Sequence, residues 1–317
     1  MAIIVTGGLG ILGNSILKIL SKIEKKIIVY DRKKNFQRFQ SIKNKNMQFI
    51  AGELSDSVKL KKIIIKYKIK AIFHLGAQTQ VLRAISDPEE TYKINLFSTI
   101  NLLEIIRKID KKILFIYSSS DKAYGELNYG SYTESYPLNS IYPYDVSKST
   151  SDLIAQSYAK TYRLSIGIIR SANIFGPHDR NLKRIVPETI ISLLKGKKIT
   201  IRSNGKLKRD YIYVDDVANA YILTYQKLKN SNKKLLIYNV GSKYNLSVIQ
   251  IIKSIANKLK IKNNFYTIKN NSKKEIKNQR LNYKKIQKEL KWKQKISLSD
   301  GLSRTIDWYK KNLQEFK

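Results

Sequence analysis

Short apolar runs alternate with amphipathic stretches through the first half of the chain. Ile3–Thr6, Ile27–Tyr30, Met47–Ala51, Ala71–Leu75 and Ile113–Tyr117 are four to five residues long and rich in β-branched and aromatic side chains, which predicts strands. Residues 11–22, 56–68 and 88–109 lie between them and carry helical periodicity. A β-α-β-α order predicts an α/β fold: a Rossmann-type, doubly wound parallel sheet with helices on both faces. A long helix over 142–162 and a strand at Ser165–Ile169 continue the pattern. After Arg170 the elements shorten, with helices near 181–195, 214–228, 247–258 and 298–312 and strands near 199–202 and 236–240. Asn173–Pro177 reads as a loop, and the polar, lysine-rich stretch 270–279 reads as a surface loop. The expected organisation is a sheet domain over 1–169 and a smaller, interleaved domain over 170–317.

Charge complicates this picture. The 317 residues carry 61 Lys and Arg against 24 Asp and Glu, a formal +37. Such a balance invites a nucleic-acid reading, but the lysines are scattered in doublets such as Lys25-Lys26 and Lys233-Lys234, with no arginine-rich arm. Lys, Ile, Asn and Tyr are abundant together and share AT-rich codons, so the surplus reads as a solvated surface, able also to attract an anionic, phosphate-bearing ligand. No specific nucleic-acid partner is expected. With no cysteine and only His74 and His178, the chain offers no disulfide framework, thiolate nucleophile or metal-ligand spacing. No apolar run is long enough for a membrane span, and the expected location is the cytoplasm.

Two places carry chemistry. The first is Gly7, Gly10 and Gly13, directly after the first strand and at the start of the first helix, with Ile11 and Leu12 between the last two. Glycines there let the backbone approach a pyrophosphate, and the helix N-terminus supplies amides and positive dipole. Asp31 closes the second strand, where a carboxylate accepts hydrogen bonds from both adenosine ribose hydroxyls and repels a 2′-phosphate, favouring NAD over NADP. The neighbouring Arg32 pulls the other way. Residues 1–169 are therefore expected to bind NAD.

The second place is Ser118-Ser119-Ser120-Asp121-Lys122, followed by Tyr144-Asp145-Val146-Ser147-Lys148. A tyrosine four residues before a lysine on a helix shares its face. An ammonium beside a phenol favours the phenolate and so makes a general base. Asp121-Lys122 adds an acid and a base beyond what alcohol oxidation needs; the alternative reading is a solvated pair on an exposed turn.

With the glycine loop, the serine-rich strand end and Tyr144-x-x-x-Lys148 in this order, the chain resembles the extended short-chain dehydrogenase/reductase family, and within it the nucleotide-sugar epimerases and 4,6-dehydratases. The resemblance covers almost the whole chain. His74-Leu75-Gly76-Ala77 resembles the fourth strand end beside the cofactor, and Asn95 resembles the asparagine of the following helix. Glu53, before Leu54, stands where the family commonly has an aspartate near adenine. Arg170-Ser171-Ala172-Asn173-Ile174-Phe175-Gly176-Pro177 and Arg209-Asp210-Tyr211 resemble segments in which the asparagine and the arginine contact the substrate diphosphate. Arg280 reads either as a phosphate clamp or as part of a basic loop. Asp121-Lys122 departs from the plain epimerases. It resembles the Asp-Lys run of CDP-glucose 4,6-dehydratases and inverting UDP-N-acetylglucosamine 4,6-dehydratases, where commoner glucose- and mannose-nucleotide dehydratases carry Asp-Glu.

The resemblance implies a lyase for surface polysaccharide synthesis: oxidation at carbon 4 assisted by Ser120, Tyr144 and Lys148, then loss of water across carbons 5 and 6 with Lys122 as base and Asp121 as acid. The runner-up is a UDP-glucose/UDP-galactose-type 4-epimerase, with Asp121 and Lys122 only shaping the pocket. A noncatalytic NAD- or RNA-binding protein is the third reading, supported by charge alone. The family also implies a homodimer through the helices near 88–109 and 142–162.

Overall fold

In the computed structural model, which describes residues 1–126, 130–271 and 276–316, seven parallel strands form the central sheet. In chain order the elements are β1 (Ala2–Thr6), α1 (Ile11–Ile23), β2 (Ile27–Asp31), α2 (Phe36–Ile42), β3 (Met47–Ala51), α3 (Ser57–Lys66), β4 (Ile69–His74), α4 (Val81–Ser86), α5 (Pro88–Tyr92), α6 (Ser98–Ile109), β5 (Leu114–Ser120), α7 (Pro143–Tyr162) and β6 (Ile166–Ser171). Then follow β7 (Asn173–Phe175), α8 (Ile185–Leu194), β8 (Ile199–Ile201), β9 (Lys208–Tyr213), α9 (Val214–Lys229), β10 (Leu235–Val240), β11 (Asn245–Ser247), α10 (Val248–Lys258), β12 (Tyr266–Ile268), α11 (Lys284–Leu290) and α12 (Leu298–Lys311).

The strands run β10-β6-β5-β4-β1-β2-β3, so the chain reverses its direction of winding between β1 and β4. In open α/β sheets that switch point opens a crevice at the strands' C-terminal ends. Side-chain alternation explains the two covered faces. Ile3, Val5, Val29 and Phe73 pack with Leu17 of α1 and Ala218 and Tyr221 of α9. Ala2, Ile4, Ile28 and Ile72 face Leu60, Leu102, Leu103 and Ala155 of α3, α6 and α7.

The chain crosses the expected division at residue 169 and returns: β10 and α9 belong to the large sheet layer, β10 pairing with β6 in parallel from Leu235–Ile166 to Val240–Ser171. The remainder forms two small sheets, β11-β9-β7 and β12-β8, over the crevice. Asn173–Phe175 is thus a strand rather than the expected loop, pairing in parallel with Tyr211–Tyr213 of β9. The expected helix 88–109 is interrupted by a π turn at Lys93–Phe97, which carries the buried Asn95. The surface loop expected at 270–279 lies partly outside the described residues. Within it, the backbone N–H groups of Asn271 and Gln279 donate to the carbonyls of Arg202 and Lys208.

Candidate active site

A single cleft of about 1170 Å³ runs along the C-terminal ends of β1, β2, β4 and β5 and under the small sheets. Gly7, Gly10, Ile11, Leu12, Gly13, Asp31, Arg32, Glu53, Leu54, Leu75 and Ala77 line one rim; Ser120, Asp121, Lys122, Tyr144, Lys148, Asn173 and Arg209 line the other.

The first rim has the cradle that a dinucleotide requires. Gly7 takes φ +66°, and a Cβ there would stand 2.5 Å from the Cα of Gly76. A Cβ on Gly13 would stand 2.5 Å from the carbonyl oxygen of Gly8. Both are approaches only glycine permits. Asp31 braces this turn: its Oδ2 accepts from the Leu9 N–H at 3.0 Å, and its Oδ1 from Asn35 Nδ2 at 2.7 Å. Beneath, Thr6 and Thr99 hydroxyls flank the ring of His74 at 2.8 and 3.2 Å. Burial holds His74 neutral, its pKa lowered to about 3, with Lys148 adding to the effect.

The second rim is built where β5 meets α7. Ser120 ends the strand and caps a tight helical turn over Asp121–Tyr124: its Oγ accepts from the Lys122 N–H at 3.2 Å and donates to Asp121 Oδ1 at 3.0 Å. Pro143 opens α7, which places Tyr144 and Asp145 in the first turn and Lys148 one turn later. Lys148 Nζ donates to the Ser118 carbonyl at 2.7 Å and sits 5.2 Å from the ring centroid of Tyr117. Burial lowers Lys148 to about 8, against the pull of Asp152.

Tyr144 behaves differently from expectation. Burial pushes its phenol well above the usual tyrosine range, and the groups that offset this are Arg184 and a hydrogen bond with Ser120. The Lys148 ammonium, one helical turn away, is turned onto the Ser118 carbonyl. Arg184 is held on the cleft wall by Asp179 at 3.2 Å.

Asp121 is 3 % exposed, so the exposed-turn alternative for this pair does not fit its carboxylate. Burial raises its pKa, and Lys122, Ser120 and Arg209 pull it down. Its Oδ2 has no hydrogen-bond partner among the described residues. Lys122 Nζ donates to Oε1 of the fully buried Gln279 at 3.0 Å.

A buried polar network supports this rim. Arg170 and Asp152 form a salt bridge at 2.9 Å with almost no exposure. Ser119 donates to Asp152 at 2.6 Å, Arg170 to the Tyr124 hydroxyl at 2.8 Å, and Tyr124 to Asn239 at 2.7 Å.

Two expected ligand contacts need correction. Asn95 lies outside the cleft lining: its Nδ2 donates to the Gln78 carbonyl at 3.0 Å and Ser147 Oγ at 2.9 Å, and its Oδ1 accepts from the Gln78 N–H at 2.7 Å. It ties α7 to the loop after β4. Arg280 is exposed and also outside the cleft; its backbone carbonyl accepts from the Tyr132 N–H at 2.9 Å. Asn173 and Arg209 do line the cleft, and Asn173 Nδ2 is a buried donor without a partner among the described residues. Arg209 is pinned by the Lys208 carbonyl at 2.8 Å. Sequence reasoning passed over Asp145, Arg184 and Gln279. Asp145 was legible inside the Tyr-Lys motif; Gln279 meets Lys122 across 157 positions, and nothing local announces it.

Known proteins resemble this chain in sequence and fold. The chain is 28% identical over 330 residues to the dTDP-D-glucose 4,6-dehydratase of Homo sapiens, covering 99% of this chain and 91% of the relative. The dTDP-glucose 4,6-dehydratase of Streptomyces venezuelae, solved with NAD bound, superposes with a TM-score of 0.92 at 26% identity over 99% of this chain and 98% of that one. The UDP-glucose 4-epimerase of Thermotoga maritima, solved with UDP-glucose, superposes at 0.89 with 28% identity, covering 99% and 100%. Residues 4–305 match the family model described as GDP-mannose 4,6 dehydratase. The chain belongs to that family of NAD-dependent nucleotide-sugar dehydratases and epimerases.

Proposed function

We propose that this protein is an NAD-dependent nucleotide-sugar 4,6-dehydratase. The observation that carries the reading is Asp121: a sealed carboxyl, held toward its protonated form, between Ser120 and Lys122 on the wall that also presents Tyr144. An epimerase needs no such acid.

The glycine turn, Asp31 and Lys148 would hold NAD, which when bound supplies the hydride acceptor for carbon 4, the donor for carbon 6 and a positive charge beside Tyr144. Tyr144 takes the proton of the 4-hydroxyl, and Ser120 steadies that oxygen. A carbonyl at carbon 4 acidifies carbon 5, whose proton Lys122 removes. Asp121 protonates the 6-hydroxyl as the carbon–oxygen bond breaks and water leaves. Each acid–base contact contributes roughly 10²–10⁴-fold. Asn173 and Arg209 would take the diphosphate, with a buried amide donor and a fixed guanidinium. Asp121-Lys122 in place of Asp-Glu favours a CDP-glucose-type substrate.

Incubation with CDP-, dTDP- and UDP-glucose, UDP-N-acetylglucosamine and GDP-mannose, followed by mass spectrometry, tests the reading. One of them should lose a single water; unchanged mass with all five overturns it.

The same reading includes a homodimer. Phe97 in the π turn and Leu153 on α7 are more than half exposed, on the two helical stretches the family would pair. Leu153→Asp should convert a sedimenting dimer to a monomer, and an unchanged sedimentation coefficient would refute this interface.

A further inference from the structure

Asp145 is an ionisable group at the reaction centre beside Asp121, Lys122, Tyr144 and Lys148, and none of the roles above uses it. It follows Tyr144 in the first turn of α7, where the helix dipole favours negative charge. It is 3 % exposed and lines the cleft, and its Oδ1 has no hydrogen-bond partner among the described residues. A buried carboxylate without a donor costs free energy until something donates to it, and the open side of this one is the cleft.

The surroundings say which part of a sugar that donor comes from. Asp145 shares its electrostatic neighbourhood with Lys122, Asp121 and Arg209. Lys122 and Asp121 are the pair placed at carbons 5 and 6, whereas the hydroxyl of Tyr144 serves carbon 4. Asp145 lies beside Tyr144 as well as beside Lys122 and Asp121, and with the carbon-4 oxygen already held by Tyr144 and Ser120 the oxygen left for it is that of carbon 6. Both carboxyls are 3 % exposed, burial raises both, and each disfavours ionisation of the other. Two neighbouring carboxyls that do not readily ionise together are suited to opposite duties, one donating and one accepting.

We propose that Asp145 holds the sugar's 6-hydroxyl by accepting its proton in a hydrogen bond, fixing that oxygen against the acidic proton of Asp121. This rests on the dehydratase reading. As the carbon 6–oxygen bond breaks, Asp121 gives its proton to the oxygen, the electron pair of the broken carbon 5–hydrogen bond forms the carbon 5–carbon 6 double bond, and the departing water leaves on Asp145. The residue thus selects sugars with a free hydroxyl on carbon 6.

The test compares the nucleotide sugar that wild-type enzyme turns over with its 6-deoxy-6-fluoro analogue, which loses HF and has no hydroxyl hydrogen to donate. Loss of a hydrogen bond to a charged group is a roughly 10- to 100-fold effect on kcat/KM. Asp145→Ala should show that fall with the 6-hydroxy substrate and less than about 3-fold with the fluoro analogue. Asp145→Asn, nearly isosteric, guards against a folding defect and should fall in the same direction with the same selectivity. Equal losses with both substrates, or none with either, would overturn the assignment of Asp145. If wild-type enzyme removes water from none of the nucleotide sugars tested above, it is the dehydratase reading that fails instead.

Discussion

The two rims of the cleft are built by different rules. The cofactor-facing rim, from Gly7 to Ala77, is made of strand ends and the turns that follow them. Its key geometry is backbone geometry: the positive φ of Gly7, the helix start at Gly10 and the brace from Asp31 to the Leu9 N–H. The substrate-facing rim is assembled across the chain: Lys122 meets Gln279, and behind it Asn239 ties Tyr124 to Tyr132. A rim fixed by local backbone rules tolerates little and binds one thing. A rim fixed by long-range side-chain contacts can be retuned one residue at a time, which suits a substrate pocket on a shared scaffold.

The comparison breaks most visibly at the reaction centre. Tyr144→Phe should lower turnover by about 10²–10⁴-fold and abolish nicotinamide reduction. Lys122→Ala should lower water loss by a similar factor while nicotinamide reduction persists. If Lys122→Ala eliminates water at the full rate, the division of labour between the two residues is wrong.

Next in size is the buried support. Asp152→Ala strands Arg170 and should cost about 3–5 kcal/mol of unfolding free energy in denaturant titration, with Ser119 and the end of β5 loosened. An unchanged midpoint would mean that the network is incidental.

Gly7→Ala probes the other rim. A Cβ in the left-handed region, 2.5 Å from Gly76, costs about 1–3 kcal/mol of strain. It should reduce the NAD that co-purifies with the protein far more than it alters the choice of sugar nucleotide. A changed sugar preference with normal NAD content would contradict the separation of the rims.

The smallest effect is a pH slope. His74 is neutral when folded, with its pKa lowered by burial to about 3, against an ordinary 6.5 when unfolded. Between those values the unfolded chain binds the extra proton, so stability is present above pH 6.5 and is lost as pH falls toward 3. His74→Gln should flatten the thermal midpoint between pH 6.5 and 4 by up to one proton's worth. Parallel curves for both proteins would refute it.

Most of the large sheet was legible because parallel, doubly covered strands read as continuous apolar runs. The glycine turn was legible because it depends on residue identity at fixed spacing. β7 and β9 escaped the apolar pattern, since Asn173–Phe175 and Lys208–Tyr213 are short, polar at one end and paired only across the chain. The π turn at Lys93–Phe97 was hidden for a related reason: its cause is Asn95 bonding to Gln78 and Ser147, contacts that helical periodicity does not carry. Ser120, Asp121, Lys122, Tyr144 and Lys148 were singled out by order, spacing and the family resemblance, and all five line the cleft. What the spacing did not show was the electrostatics: Arg184 and Ser120 oppose the effect of burial on Tyr144, and Asp145 joins the charged set.

If Asp121 and Lys122 remove water from a sugar whose carbon 4 has been oxidised, turnover of the active nucleotide sugar in deuterium oxide shows it directly. Mass and NMR should find a 4-keto-6-deoxy product that has lost one water and carries solvent deuterium at carbon 5. A product of unchanged mass, inverted at carbon 4 and free of deuterium, would contradict it.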